Sequence, residues 1–98
     1  MATGTIKNSK KLDWDNAVTI SGNTYTPSKP GMLFAYGATT GANGLVEIVN
    51  STKSVICAMG YFPSTATGIG CECFAESGVT YQKNFYNASI TFKFVPFS

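Results

Sequence analysis

Cysteines and carboxylates are the side chains in this sequence that most readily do chemistry. The cysteines are Cys57, Cys71 and Cys73, and histidine is absent from all 98 residues. A nucleophilic cysteine or serine needs an adjacent base, which is most often histidine. A zinc site would need a fourth ligand that no histidine supplies, and no Cys-x-x-Cys pair occurs. The sequence therefore predicts reduced, partly buried thiols and no metal or other cofactor.

The acidic residues do not form a convincing catalytic pair. Asp13 and Asp15 are close in sequence, and paired carboxylates serve as acid and base in glycoside hydrolysis. They flank Trp14, so a solvated turn beside a tryptophan that covers one end of the core is the preferred interpretation. The glutamates are far apart in sequence: Glu47, Glu72 and Glu76. We therefore expect a protein that is not an enzyme.

The composition also excludes two classes of partner. Charged residues make up 12% of the sequence, about half the usual share of a soluble domain. The net charge is +2 and all basic residues are lysines, whereas nucleic-acid sites favour arginine for bidentate contacts. No apolar run approaches the roughly 20 residues that span a bilayer. We expect neither nucleic-acid binding nor membrane insertion, and a surface with much uncharged area.

Binding by exposed aromatic side chains is the chemistry that remains. Aromatic rings stack on sugar rings, while hydroxyl and amide side chains hydrogen-bond to the sugar hydroxyl groups. These residue types occur together in a predicted surface loop over 60–68 and in a predicted polar bend over 82–88. The candidate ligand-binding residues are Tyr61, Phe62, Thr65, Thr67, Tyr86 and Asn87. Packing in the core or between subunits is the alternative role for each ring.

Short apolar stretches between turn residues indicate the elements that position these side chains. Pro27, Pro30 and Gly31 predict a tight corner, because proline fixes φ and glycine permits positive φ. The apolar run 32–36 follows as a buried strand, and residues 89–94 alternate strictly between polar and apolar. No window repeats apolar residues at helical spacing. The sequence predicts an all-β protein, a jelly-roll β-sandwich of about eight short antiparallel strands.

The domain boundary follows from a change in composition. Residues 1–15 are predicted to be a flexible lead-in or connector, because the first eleven are polar and basic and lack a hydrophobic period. Residues 16–98 are predicted to form the sandwich. The residues after Met1 contain no apolar segment typical of a signal peptide. We therefore expect synthesis without such a signal.

The order of turns and strands resembles the C-terminal head domains of bacteriophage tail-fibre and receptor-binding proteins. Three segments carry the resemblance: Tyr25-Thr-Pro-x-x-Pro-Gly-Met-Leu33, Cys73-Phe-Ala-Glu-Ser-Gly-Val-Thr-Tyr81 and the terminal Phe92-Lys-Phe-Val-Pro-Phe97. The similarity extends over residues 16–97. The sequence departs from the family at Thr26 and Pro30, where the family has alanine and aspartate.

This resemblance implies a homotrimeric jelly-roll head, similar in layout to tumour necrosis factor. It also implies that the protein is made in the bacterial cytoplasm and carried on the virion in the tail fibre. Such a head attaches to a host-surface saccharide or protein and has no catalytic centre. Two alternatives stay open. One is a monomeric carbohydrate-binding module of a bacterial enzyme or adhesin, and the other is a structural virion protein without a ligand.

The strand over 32–36 also predicts where a neighbouring chain packs. Its residues are apolar on both faces, one centred on Phe34 and the other formed by Leu33 and Ala35. A sandwich has a single interior, so the second face needs a cover, and a symmetric neighbour supplies one. We expect Phe34 to face the core and Leu33 and Ala35 to form the oligomer interface.

Overall fold

The computed structural model describes residues 11–98, which form two four-stranded antiparallel sheets packed face to face. The described residues contain no α-helix, and a 3-10 turn spans Trp14–Asn16. In chain order the strands are β1 Val18–Ile20, β2 Thr24–Tyr25, β3 Gly31–Thr39, β4 Gly44–Asn50, β5 Val55–Phe62, β6 Gly68–Ala75, β7 Tyr81–Tyr86 and β8 Ala88–Pro96. The predicted all-β sandwich of eight strands is confirmed.

The strand order is that of a jelly roll. Sheet I has the order β1-β8-β3-β6, and sheet II has the order β2-β7-β4-β5. The first strand pairs with the last, the second with the seventh, the third with the sixth and the fourth with the fifth. One long antiparallel hairpin rolled into two sheets produces these pairings. The jelly-roll prediction is therefore confirmed as well.

The core lies between the sheets and is built from alternate residues of the long strands. Val46 and Ile48 of β4 face Leu33 and Ala35 of β3, with Phe92 of β8 beside them, and all five are buried. Successive side chains of a strand point to opposite faces, so every second residue contributes to this cluster. Each large apolar side chain buried there contributes roughly 1.5–3 kcal/mol. This contact fixes the two sheets against each other.

The two faces of β3 are the reverse of the prediction. Leu33 and Ala35, predicted to form the oligomer interface, are fully buried in the core, and Phe34 lies on the outer face. The reason is the register of β3. Leu33 pairs with the buried Phe94 of β8 on one side and with Cys73, which packs against the core, on the other. Both phases of this strand are apolar, so only its neighbours determine which phase faces inward.

Two segments predicted as loop or bend contain strand residues, and β3 is longer than the strand predicted over 32–36. β3 continues past Tyr36 to Thr39, because Gly37 pairs with both neighbouring strands. A Cβ at Gly37 would collide with the carbonyl oxygen of Ser89. Gly37 is therefore a glycine within a strand, at a point where the backbones of β3 and β8 approach closely. The predicted bend over 82–88 is mostly β7, and Tyr61 and Phe62 end β5 instead of starting a loop.

β7 carries a lysine into the sandwich. Lys83 is only 9% exposed, and its Nζ donates to the Ile90 carbonyl oxygen at 3.4 Å. The ammonium also lies 5.1 Å from the ring centroid of Phe85 and 5.9 Å from that of Phe92. The negative faces of these rings stabilise the charge. A lysine at an inward position hides the alternation of β7, which explains why the sequence predicted a bend.

Both ends of the described chain meet at one end of the sandwich. Leu12 forms a β-bridge with Phe97, and the N–H of Asp13 donates to the Pro96 carbonyl at 2.8 Å. Residues 1–10 of the predicted lead-in lie outside the described residues. The connections β3–β4, β5–β6 and β7–β8 gather at the opposite end, which we call the far end, because β8 starts there and runs back to Pro96.

Gly31 tests the packing at the start of β3. A Cβ at this position would lie 2.7 Å from a ring carbon of Phe94 and would collide with the carbonyl oxygen of Val95. We expect Gly31→Val to lower the free energy of unfolding by at least about 2 kcal/mol, because the crowding atoms belong to the backbone and to a core ring. Gly22→Val is the matched control, since a Cβ there would meet nothing within 4 Å. Thermal unfolding followed by circular dichroism compares them, and equal melting temperatures would contradict this packing.

Candidate functional site

The outer face of sheet I is covered by large apolar side chains. The ring of Trp14, from the 3-10 turn, packs at a tilt against the ring of Phe34, with centroids 5.4 Å apart. The ring of Phe74 in β6 stacks on that of Phe97, with centroids 6.0 Å apart. Trp14 is 57% exposed and Phe74 is 52% exposed. We call this surface the aromatic face; its members are Trp14, Met32, Phe34, Tyr36, Phe74 and Phe97. A contiguous exposed patch of this kind marks an interaction surface.

Among strands β8, β3 and β6, the charged residues of the aromatic face lie in one cross-strand row. Phe34 pairs with Lys93 of β8 on one side and with Glu72 of β6 on the other. The next row towards the chain ends is apolar, with Met32 between Val95 and Phe74. The face therefore suits another protein surface of low charge better than a polar small molecule.

The outer face of sheet II combines tyrosines with polar side chains. Leu45 of β4 pairs with Tyr86 of β7 and with Tyr61 of β5, which places the two rings in one row on either side of it. The strands that carry Tyr61 and Tyr86, β5 and β7, are separated by two strand spacings of about 4.8 Å each. Tyr61 is 56% exposed and Tyr86 is 63% exposed. We call this surface the tyrosine face; its members are Leu45, Glu47, Val49, Met59, Tyr61, Gln82, Asn84 and Tyr86.

Hydrogen bonds fix the polar residues of the tyrosine face. The side-chain Nε2 of Gln82 donates to Asn84 Oδ1 at 2.7 Å, and Asn84 Nδ2 donates to Glu47 Oε1 at 3.1 Å. Glu47 and Asn84 pair across β4 and β7, one row from Tyr86 and Leu45. The carboxylate is thus held in one orientation beside the rings.

Hydrogen bonds also hold the loops of the far end, and they use several of the predicted binding residues. Thr39 Oγ1 donates to the Ser64 carbonyl at 2.7 Å and accepts from the Thr67 N–H at 3.0 Å. Asn87 Nδ2 donates to the Ala42 carbonyl at 2.8 Å, which ties the β7–β8 connection to the β3–β4 loop. The side chain of Asn87 thus serves the loop structure, and Thr67 is anchored through its backbone.

The structure brings together two of the six predicted binding residues. Tyr61 and Tyr86 share the tyrosine face, whereas Phe62 follows Tyr61 on the same strand and points to the opposite side of the sheet. Thr65 is exposed in the far-end loop, near Thr67. The residues that sequence reasoning missed are Leu45, Glu47, Gln82 and Asn84. Alternation along β4 is the signal that relates Leu45 to Glu47, but no pattern in the sequence pairs β4 with β7.

The three thiols gather at the edge where β5 of sheet II approaches β6 of sheet I. Cys57 is exposed next to a β-bulge and contacts Cys73, while Cys71 and Cys73 are half-buried against the core. Burial raises the pKa of Cys73 to about 12 and that of Cys71 to about 11. Reactive cysteines have lowered pKa values, so these two do not fit a catalytic role. Within residues 11–98, no group of three or more metal-binding side chains could hold a metal ion.

Comparisons with known proteins identify no relative. No protein-family model, curated protein or solved structure matches the chain. Within residues 11–98, the structure has no helix long and apolar enough to cross a lipid bilayer.

The thiol environments predict different reactivities with an aromatic disulfide reagent. At about pH 8, exposed Cys57 should react first, whereas the raised pKa of Cys73 lowers its thiolate fraction roughly a thousandfold. Raising the pH towards the pKa values of Cys71 and Cys73 should accelerate the slow reactions. Cys57→Ser should remove the fast phase and leave the slow ones. Three equally fast thiols in the folded protein would contradict the described burial.

Proposed function

We propose that this chain is a non-enzymatic, phage-type tail-fibre head that forms a homotrimer and attaches the virion to a host-surface saccharide or protein. The observation that carries the proposal is the aromatic face, an apolar surface on one side of the jelly roll that residues 11–98 leave exposed. The resemblance of residues 16–97 to such heads supports it independently.

A second copy of the chain is the economical cover for the aromatic face. Burying a few hundred Å² of this surface per chain contributes several kcal/mol at about 25 cal/mol per Å², before the costs of association. Three copies related by a rotation axis close a ring without leaving an open end. The row with Lys93, Phe34 and Glu72 carries both signs of charge, so like charges need not meet across the contact.

The placement of the chain ends and of the second face supports the same function. Covering sheet I leaves the tyrosine face of sheet II available to solvent. The far-end loops lie away from Leu12 and Phe97, where the chain enters and leaves the described fold. A head joined to a fibre at that end presents both the loops and the tyrosine face to a host surface.

One alternative is favoured by a specific observation. The tyrosine face is contained in a single chain, so a monomeric carbohydrate-binding module would also present it. A structural virion protein without a ligand is the further alternative, in which the aromatic face alone has a role. Solution mass separates the module from the head, and a binding assay separates the structural protein from both.

Charge substitutions on the two faces of sheet I test the proposed interface. Phe74→Lys should yield folded monomers, because the lysine would place an ammonium in the subunit contact where the exposed ring of Phe74 lies. Leu33→Lys should instead unfold the domain, since that side chain is fully buried. Thr24→Lys is the control, because Thr24 is exposed on sheet II.

Light scattering gives the mass of each variant and circular dichroism reports its fold. A Thr24→Lys protein should keep the mass of the unmodified protein. If Phe74→Lys also keeps that mass, the aromatic face is not the interface. If the unmodified protein is monomeric at micromolar concentration, the carbohydrate-binding module becomes the better proposal.

A further inference from the structure

We propose that the tyrosine face binds a neutral saccharide chain, with Tyr61 and Tyr86 stacking on sugar rings and Glu47 accepting hydrogen bonds from hydroxyl groups. This inference rests on the proposed attachment function and adds to it a site and a chemical class of ligand.

The spacing of the rings suits an extended glycan. Tyr61 and Tyr86 lie in one cross-strand row with Leu45 between them, on strands about 10 Å apart. That separation is close to the length of a disaccharide unit, so each ring meets a different sugar of the same chain. Leu45 offers an apolar floor for the C–H groups of the sugar between them. The row is a flat platform, and the described residues form no deep pocket there.

Tyr61 is fixed before any ligand binds. Its hydroxyl donates to Asn43 Oδ1 at 2.6 Å, and Asn43 adopts a positive φ of 61° at the start of β4. Asparagine tolerates this left-handed conformation better than most residues. A ring held in place loses little conformational freedom on binding, which favours affinity.

The carboxylate of Glu47 is fixed in the same way and determines the class of ligand. Asn84 occupies Oε1, which leaves the other carboxylate oxygen for sugar hydroxyl donors. Glu47 is the single charged residue of the tyrosine face, so an acidic sugar would meet a like charge there. The chemistry therefore favours neutral hexoses over uronic or sialic acids.

The test compares neutral oligosaccharides with uronic-acid oligosaccharides of equal length, on an array and by titration calorimetry. The unmodified protein should bind the neutral set and bind the acidic set at least about tenfold more weakly. Tyr61→Ala and Tyr86→Ala should each weaken neutral binding by about tenfold or more, whereas Tyr61→Phe, which keeps the ring, should retain most of it. Glu47→Gln should reduce the discrimination between the two sets.

Phe62→Ala is the matched control, because Phe62 is 40% exposed, belongs to neither the aromatic face nor the tyrosine face, and points to the opposite side of sheet II from Tyr61. Circular dichroism establishes that each variant is folded. If Tyr61→Ala disturbs the turn at Asn43, Tyr86→Ala alone tests the contribution of ring stacking. Preference for acidic glycans, no binding to any neutral glycan, or equal losses in Phe62→Ala would overturn the inference. If glycan binding survives both tyrosine substitutions, this site is wrong while the attachment function stands. A monomer that binds no glycan would contradict the attachment function as well.

Discussion

The structure depends on contact between the inner faces of two antiparallel sheets. Each long strand sends every second side chain into that contact, as Leu33 and Phe92 do, and must send the others outward. In most sandwiches the outward residues are polar or charged. In this chain charged residues are few, so the outward positions of β3 and β6 hold Phe34 and Phe74. The candidate binding surfaces therefore arise because side chains of a strand alternate between the two faces of a sheet, and this chain has few charged residues to place on the outer face.

The two outer faces differ in a way that separates their proposed roles. The aromatic face has neighbouring rings in contact, which suits a complementary protein surface. On the tyrosine face, the rings of Tyr61 and Tyr86 stand apart beside a hydrogen-bonded row of polar groups. Separate rings and oriented acceptors suit a hydroxylated ligand. A trimer built on sheet I would leave sheet II free, so the two proposed roles are compatible in one assembly.

Much of the fold could be predicted from the sequence, because local patterns determine it. Strict alternation over 89–94 predicts β8, and the corner ending at Gly31 predicts the entry into β3. The absence of helical spacing predicts the all-β class. Lys83 shows where this reasoning fails, since a lysine packed against two aromatic rings occupies a position that the pattern assigns to an apolar residue.

The candidate sites were less predictable, because they depend on register between distant strands. Both phases of residues 32–36 are apolar, and the phase predicted to face the core, that of Phe34, is the outer one. Pairing of Leu33 with Phe94 resolves the choice, and no local pattern contains it. Tyr61 and Tyr86 were predicted from residue type, but only the pairing of β4 with both β5 and β7 brings them together around Leu45.

The solution mass of the unmodified chain tests the central claim most directly, namely that identical copies cover the aromatic face. Light scattering after size exclusion, over a dilution series in the micromolar range, measures it without any substitution or ligand. The account predicts one species with three times the 10.4 kDa mass of the chain, stable to dilution. A mass of one chain throughout the series would contradict it.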